Sequence, residues 1–217
     1  DIKGYFTFIN SPKLEFGFTE SNIRINNIPW WFNLDHQVVI DTTTIEFNDL
    51  RFESSDQKLV INGKISDDPI EKLNISFDNW NLSNLDVILK AYDIDISGAI
   101  NGKADLLDLY RNGTFLALLG IKNLTINKEN LGDLEFNSSW DPYTKSVWLD
   151  SQIKYTGNVG TIIPFSMQGF YYPESETDNL DLKIDLHNFR LEMVNPFLRG
   201  ILANIKGLAS GEVIVKG

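Results

Sequence analysis

The chain has 217 residues, and thirty acidic against nineteen basic side chains give it a net charge of -11 at pH 7. This acidic charge argues against binding to nucleic acid, because phosphates require stripes of Lys and Arg. It also argues against docking on an anionic membrane through a basic patch. Because the chain has no cysteine, disulfides, thiolate zinc sites and cysteine nucleophiles are excluded.

Apolar and polar residues alternate with a period of two along most of the chain, which predicts about a dozen to fourteen β-strands. The clearest alternation lies between Leu180 and His187, where Leu182, Ile184 and Leu186 are separated by charged residues. One apolar and one polar face are typical of an antiparallel sheet, since buried parallel strands are apolar throughout. The sequence therefore predicts an all-β fold with a mostly antiparallel sheet.

Helix is predicted in only one or two short stretches. Residues 84–92 carry apolar side chains at positions i, i+3, i+4 and i+7, with Ser83 or Asn84 as the N-cap. Residues 192–202 are a weaker candidate because Pro196 fits a helix only in its first turn.

Two stretches of the chain, residues 73–106 and 180–215, look like copies of one pattern. Each has an alternating strand, a short helix-like stretch and a strand with glycines four residues apart. Leu73 and Leu180 are 107 positions apart whereas Gly98 and Gly207 are 109 apart, which suggests a two-residue insertion. With no Gly/Ser-rich linker, residues 1–217 are interpreted as one continuous β-repeat domain, with units at approximately 60–107 and 165–217. Such repeats favour a stacked, elongated architecture.

Residues that could support catalysis or metal binding are few. The two histidines, His36 and His187, lie 151 positions apart, and no familiar catalytic motif occurs. Acidic residues alternate from Asp93 towards Gly98 as in a calcium loop, but Ala104 stands where a bidentate Glu should close the shell. The sequence therefore predicts a protein that is not an enzyme, with no catalytic residues, no metal site and no cofactor.

Three segments carry a resemblance to a known family: Leu82 to Ala104, Ile121 to Ile126, and Asn188 to Val215. Over roughly residues 60–217 the chain resembles the repeats of the AsmA-like (TamB) family. The resemblance implies an elongated, curved, U-shaped (taco-like) sheet with an apolar inner groove. It also implies a periplasmic segment of an inner-membrane-anchored protein. The first sixty residues are not assigned to a repeat.

In function, the resemblance implies a role in moving phospholipid to the outer membrane and in outer-membrane protein assembly. The implied partners are phospholipid acyl chains and an outer-membrane assembly β-barrel protein of the Omp85 type. Binding of nucleic acid is not expected.

Period-two alternation would also supply a groove with apolar side chains strand after strand. Because burying each CH₂ is worth about 0.8 kcal/mol, a chain of about fifteen methylenes gains about 12 kcal/mol on leaving water. A slip of one residue would invert a strand's facing. The residues expected to line the groove are Leu73, Ile75, Phe77, Ile94, Ile96, Leu134, Phe136, Val147, Leu149, Ile153, Leu182, Ile184 and Leu186.

Two other interpretations remain open. A secreted β-sandwich that binds glycans could use Trp30, Trp31, Trp80, Trp140 or Trp148, although its two sheets would close on each other and leave no groove. In the other interpretation, the chain is a purely structural or adhesive repeat.

Overall fold

The computed structural model describes residues 2–10, 12–19, 21–32, 37–158, 160–195 and 205–217. These residues form one antiparallel sheet of fifteen strands that does not close on itself, which confirms the predicted all-β fold. The strands are β1 (Gly4–Asn10), β2 (Lys13–Phe18), β3 (Ser21–Ile25), β4 (Ile28–Phe32), β5 (Gln37–Ile40), β6 (Ile45–Ser54), β7 (Gln57–Ile65), β8 (Lys72–Asn81), β9 (Ile96–Leu107), β10 (Thr114–Ile126), β11 (Glu129–Asp141), β12 (Ser146–Gly157), β13 (Gly160–Tyr171), β14 (Leu180–Arg190) and β15 (Leu208–Lys216).

The strand order follows the chain almost throughout. The path runs β1, β2, β5, and then β6 to β15 in sequence order. The hairpin of β3 and β4 lies off this path and pairs with β6 through Trp31 and Phe32. Its turn residues, Asn26 and Asn27, both have positive φ, as a two-residue hairpin turn requires.

The Cα atoms cluster into two compact units. Unit 1 comprises Asp1–Trp80 and Asn101–Ala117, and unit 2 comprises Asn81–Ile100 and Leu118–Gly217. The core of unit 1 includes Trp30, which is 1% exposed, and the core of unit 2 includes Val147, also 1% exposed.

One continuous helical segment follows β8. It consists of a 3-10 turn at Leu82–Leu85, an α-helical turn, α1 (Asp86–Leu89), and a second 3-10 turn at Lys90–Tyr92. The N-cap is Asn81, whose side chain accepts a hydrogen bond from the backbone N–H of Ser83 at 3.0 Å, so the expected caps were placed two or three residues too late.

Of the second helix predicted at residues 192–202, the structure shows a 3-10 turn at Leu191–Val194. Residues 196–204, including Pro196, lie outside the described residues. His36 also lies outside them.

Four strands contain the same backbone device, a residue in the left-handed conformation with φ between 47° and 57°. In each case its backbone N–H donates a hydrogen bond to a side-chain oxygen on the next strand. Asn and Asp tolerate this conformation better than other non-glycine residues. The donors and acceptors are Asp49 and Asn62 at 3.1 Å, Asn79 and Asn101 at 2.9 Å, Asn123 and Asp133 at 2.9 Å, and Asn188 and Ser210 at 2.8 Å.

At two of these sites the strand pairing shows a β-bulge. Leu186 and Phe189 of β14 are three residues apart, whereas their partners on β15, Gly211 and Ala209, are only two apart. The pairing of β6 with β7 shifts in the same way. The extra residue keeps Leu186 and Phe189 on one face although their spacing is odd. In all four strands the next residue is a buried apolar side chain: Leu50, Trp80, Leu124 and Phe189.

The two copies of the sequence pattern correspond at a constant offset of 109 positions. Asn79 and Asn188 have φ of 47° and 49°, and Gly98 and Gly207 have φ of 136° and 116°. At the same offset Leu73 corresponds to Leu182, not to Leu180. The two-residue insertion inferred from the sequence is therefore wrong, because the alternating strand of the second copy has one more apolar position at its start, Leu180, which corresponds to Glu71 of the first copy.

Candidate functional site

Strands β11 to β15 of unit 2 carry apolar side chains on one common face. Residues directly opposite each other in an antiparallel pair project to the same side of a sheet, so the pairing defines this face. Leu134 lies opposite Ile153, which lies opposite Phe165, which in turn lies opposite Leu186. The apolar face consists of Leu134, Phe136, Trp140, Val147, Leu149, Ile153, Phe165, Met167, Tyr171, Leu180, Leu182, Ile184, Leu186, Val213 and Val215.

The apolar face is only partly covered. Val147, Ile153 and Leu182 are buried, whereas most of the other members are half-buried and Val213 is 44% exposed. Side chains in the sealed core of a sandwich are instead close-packed from both sides. Within the described residues, this face is therefore an apolar surface about 19 Å wide across five strands.

The opposite face of the same strands is charged. Lys154 pairs with Glu135 at 2.7 Å, and Lys183 pairs with Glu212 at 2.9 Å. Hydrogen bonds from Lys154 and Gln152 hold the pKa of Glu135 below its usual value, and the hydrogen bond to Glu212 raises the pKa of Lys183. This face differs in chemistry from the apolar face, although Trp148 and Phe170 also pack on it.

In unit 1 the predicted groove residues Leu73, Ile75 and Phe77 lie on one face of β8. They are opposite Gly63, Ile61 and Leu59 of β7 in the same order. Leu73 is buried and the other two are half-buried.

The remaining predicted groove residues divide into two groups. Ile96 is the first residue of β9, whereas Ile94 lies in the connection before β9 and outside any strand. The others belong to the apolar face of unit 2: Leu134, Phe136, Val147, Leu149, Ile153, Leu182, Ile184 and Leu186. Their role in binding stays a prediction.

A cavity of about 320 Å³ lies at one end of this apolar face. Ile153 belongs to both the face and the cavity. The apolar walls are Leu131, Ile153, Tyr155, Ile162, Phe189 and Met193, and the polar rim is Glu129, Asn130, Asn188 and Arg190.

An ion pair spans the rim of this cavity. Arg190 Nη1 donates to Glu129 Oε2 at 2.6 Å, and the two side chains are 60% and 42% exposed. The strands β11 and β14 that carry them are separated by β12 and β13, which in a flat sheet would place them about 14 Å apart. The pair therefore joins two strands that are not neighbours in the sheet, and both of its residues line the cavity.

Sequence reasoning did not identify this cavity. Glu129 and Arg190 are 61 positions apart and meet only through the pairing of four strands. A sequence signal did exist at Asn188, which begins one of the segments that resemble the AsmA-like repeats, and the structure places Asn188 and Phe189 at the cavity through the bulge.

The tryptophans of the glycan-binding interpretation are scattered. Trp30 and Trp80 are buried, and Trp148 packs on Phe170 with ring centroids 4.9 Å apart. Trp31 and Trp140 are 48% and 39% exposed, and they belong to different units.

Among the described residues, no group of three or more His, Cys, Asp or Glu side chains is placed to hold a metal ion. No helix in that part of the chain is both long and apolar enough to cross a membrane.

Comparison of the chain with known protein families, curated proteins and solved structures found no match.

Proposed function

We propose that this chain is a non-enzymatic segment of an envelope-spanning protein that binds phospholipid acyl chains along a hydrophobic β-groove. In this proposal it conducts them between the inner and outer membranes. The observation that supports it is the apolar face of β11 to β15, which is continuous across five strands and partly exposed. Soluble proteins seldom leave such a continuous apolar surface without a ligand or partner.

The energetics favour an extended hydrocarbon as the ligand. Each CH₂ group that leaves water gains about 0.8 kcal/mol, and an acyl chain presents a row of them. The face offers similar apolar contacts from strand to strand, so a chain that moves by one strand spacing exchanges one set of contacts for a similar one. This arrangement suits conduction better than tight capture at one position.

The cellular setting in the proposal rests on the resemblance to the AsmA-like family. That resemblance supports a periplasmic location, an inner-membrane anchor elsewhere in the protein, and a partnership with an assembly β-barrel of the Omp85 type. Strand pairing and side-chain burial support only the binding surface.

The proposal is tested by recovering the protein from bacterial membranes, extracting it with organic solvent and measuring co-purified phospholipid by mass spectrometry. Ile184 lies on the apolar face opposite Met167 and Val213, so Ile184→Asp places a charge in the path of the acyl chain. We expect it to reduce lipid loading at least tenfold, because an unpaired carboxylate on an apolar surface is costly to desolvate.

Ser139→Asp is the matched control. It introduces the same side chain on the opposite face of β11, where Ser139 is exposed beside Trp148, and loading should not change. Equal loading of the wild type and Ile184→Asp, with equal thermal stability, would contradict the facing and the proposal.

Glycan binding is the alternative that the exposed Trp31 and Trp140 keep open. It predicts lipid-free extracts together with retention on a polysaccharide column. Loss of retention in Trp31→Ala or Trp140→Ala would support it.

A further inference from the structure

The lining of the cavity includes two opposite charges that meet beside its apolar walls. Arg190 and Glu129 are held 2.6 Å apart, and both side chains are more than one third exposed. We propose that this rim binds the headgroup of a zwitterionic phospholipid, with its phosphate on Arg190 and its ammonium group on Glu129. The inference rests on the proposed function and names the class of lipid that the same surface accepts.

The chemistry of the two side chains matches the two charges of such a headgroup. The planar guanidinium of Arg190 donates parallel hydrogen bonds that fit a phosphate, and the carboxylate of Glu129 accepts hydrogen bonds from an ammonium group. An exposed ion pair contributes little stability, so the headgroup can separate the two side chains at low cost. After separation, Arg190 faces the phosphate and Glu129 faces the ammonium group, so each side chain again has a partner of opposite charge.

The same rim disfavours a lipid with a purely anionic headgroup. Its phosphate could still reach Arg190, but the carboxylate of Glu129 would then lose its partner beside a second negative charge. Like charges at such a distance repel each other. The rim therefore predicts a preference for phosphatidylethanolamine over phosphatidylglycerol.

The apolar walls have room for part of one acyl chain. A cavity of about 320 Å³ is at the small end of the usual range for ligand pockets, about 300 to 1,000 Å³. Ile153 is shared with the apolar face, so the rest of the chain can continue along β12 and β13. This route joins a headgroup site to the groove in one surface.

The experiment uses the whole 217-residue chain, incubated with vesicles that contain equal amounts of phosphatidylethanolamine and phosphatidylglycerol. The protein is re-isolated, and the ratio of the two bound lipids is measured by mass spectrometry. We expect the wild type to enrich phosphatidylethanolamine by about tenfold, which corresponds to one charge-assisted hydrogen bond.

Substitutions at the rim should change either this ratio or the amount of lipid bound. Glu129→Gln should abolish the enrichment by admitting phosphatidylglycerol, whereas Arg190→Gln should lower the binding of both lipids by about tenfold. Arg190→Lys keeps the charge without the planar donor geometry and should lower binding severalfold. Lys183→Gln is the control, because it removes a similar ion pair on the opposite face, with Glu212. Its lipid ratio should equal that of the wild type.

The outcomes separate this inference from the proposed function. A wild-type protein that takes up no lipid overturns both. A protein that binds lipid, but whose headgroup ratio is unchanged in Glu129→Gln and whose amount of bound lipid is unchanged in Arg190→Gln, overturns the headgroup site alone. Circular dichroism melting curves establish that each variant is folded before its ratio is read.

Discussion

At the scale of single residues, Asp133 links strand pairing to charge. One of its carboxylate oxygens accepts the backbone N–H of the left-handed Asn123 at 2.9 Å, and the other accepts from Lys122 Nζ at 2.7 Å. The hydrogen bond from Lys122, followed by that from the Asn123 backbone, holds the pKa of Asp133 below its usual value. The ionised carboxylate therefore stabilises the fold at this left-handed residue.

This dependence predicts a loss of stability in acid. A group whose pKa is lowered by folding contributes fully above its unfolded pKa, 3.8 for Asp133, and loses its contribution as the pH falls through the folded value. Asp133→Asn should lower the free energy of unfolding by about 1 kcal/mol at pH 7. Between pH 5 and pH 2, roughly the window of this linkage, the variant should lose less stability than the wild type.

Urea denaturation at a series of pH values measures both effects. Glu176→Gln, which changes an exposed carboxylate in the connection between β13 and β14, is the control and should follow the wild-type pH profile. Parallel profiles for the wild type and Asp133→Asn would show that this carboxylate does not carry the acid dependence.

At the scale of elements, a bulge in β14 positions one wall of the candidate site. In β14 the left-handed Asn188 is the extra residue that returns Phe189 to the face of Leu186. Phe189 is then 7% exposed and forms part of the cavity wall. One backbone conformation thus positions the candidate site.

Substitutions at Asn188 should separate the backbone requirement from the side chain. Its φ is 49°, which glycine adopts without strain and a β-branched residue does not. Asn188→Val should therefore lower the free energy of unfolding by about 2 kcal/mol, and Asn188→Gly by less than about 1 kcal/mol. Both variants keep the backbone donor to Ser210 and are compared by urea denaturation. Equal losses would mean that the side chain, not the left-handed backbone, is what this position needs.

The alternation of apolar residues predicted the strands because it follows the pleat directly. Within β14 it placed Leu182, Ile184 and Leu186 on one face, as the pairing with β13 shows. Alternation alone would not place Phe189 on this face, because the left-handed Asn188 adds one position and reverses the phase. An Asn in the sequence indicates a residue that tolerates positive φ. It does not indicate in which strand a bulge forms.

The cavity could not be predicted for a different reason. Its charged pair comes from β11 and β14, and a single sequence carries no information on how four strands are paired. Local spacing identifies which face a side chain takes, whereas contacts between distant strands depend on register.

At the scale of the whole molecule, net charge and apolar surface have opposite effects. The charge of -11 at pH 7 keeps copies of the chain apart, although unit 2 exposes a continuous apolar face. This protection weakens as carboxylates are protonated towards the isoelectric point near 4.6.

Light scattering should therefore show self-association near pH 4.6. We expect a nonionic detergent with a single alkyl chain to suppress it, because the detergent covers the apolar face without changing the net charge. Ile184→Asp should also associate less than Ser139→Asp, since each adds one carboxylate but only the first lies on that face. If the detergent has no effect and the two variants associate equally, the self-association depends on net charge alone.

The constant offset of 109 positions has a consequence for how such a chain can change in length. β8 and β14 are six strands apart in the strand order, and each carries its left-handed Asn before a buried aromatic side chain, Trp80 or Phe189. Unequal recombination between the two copies would add or remove six strands at once and leave every bulge in phase. Recombination of this kind would lengthen or shorten the protein by whole modules, and the apolar side chains of each strand would keep their side.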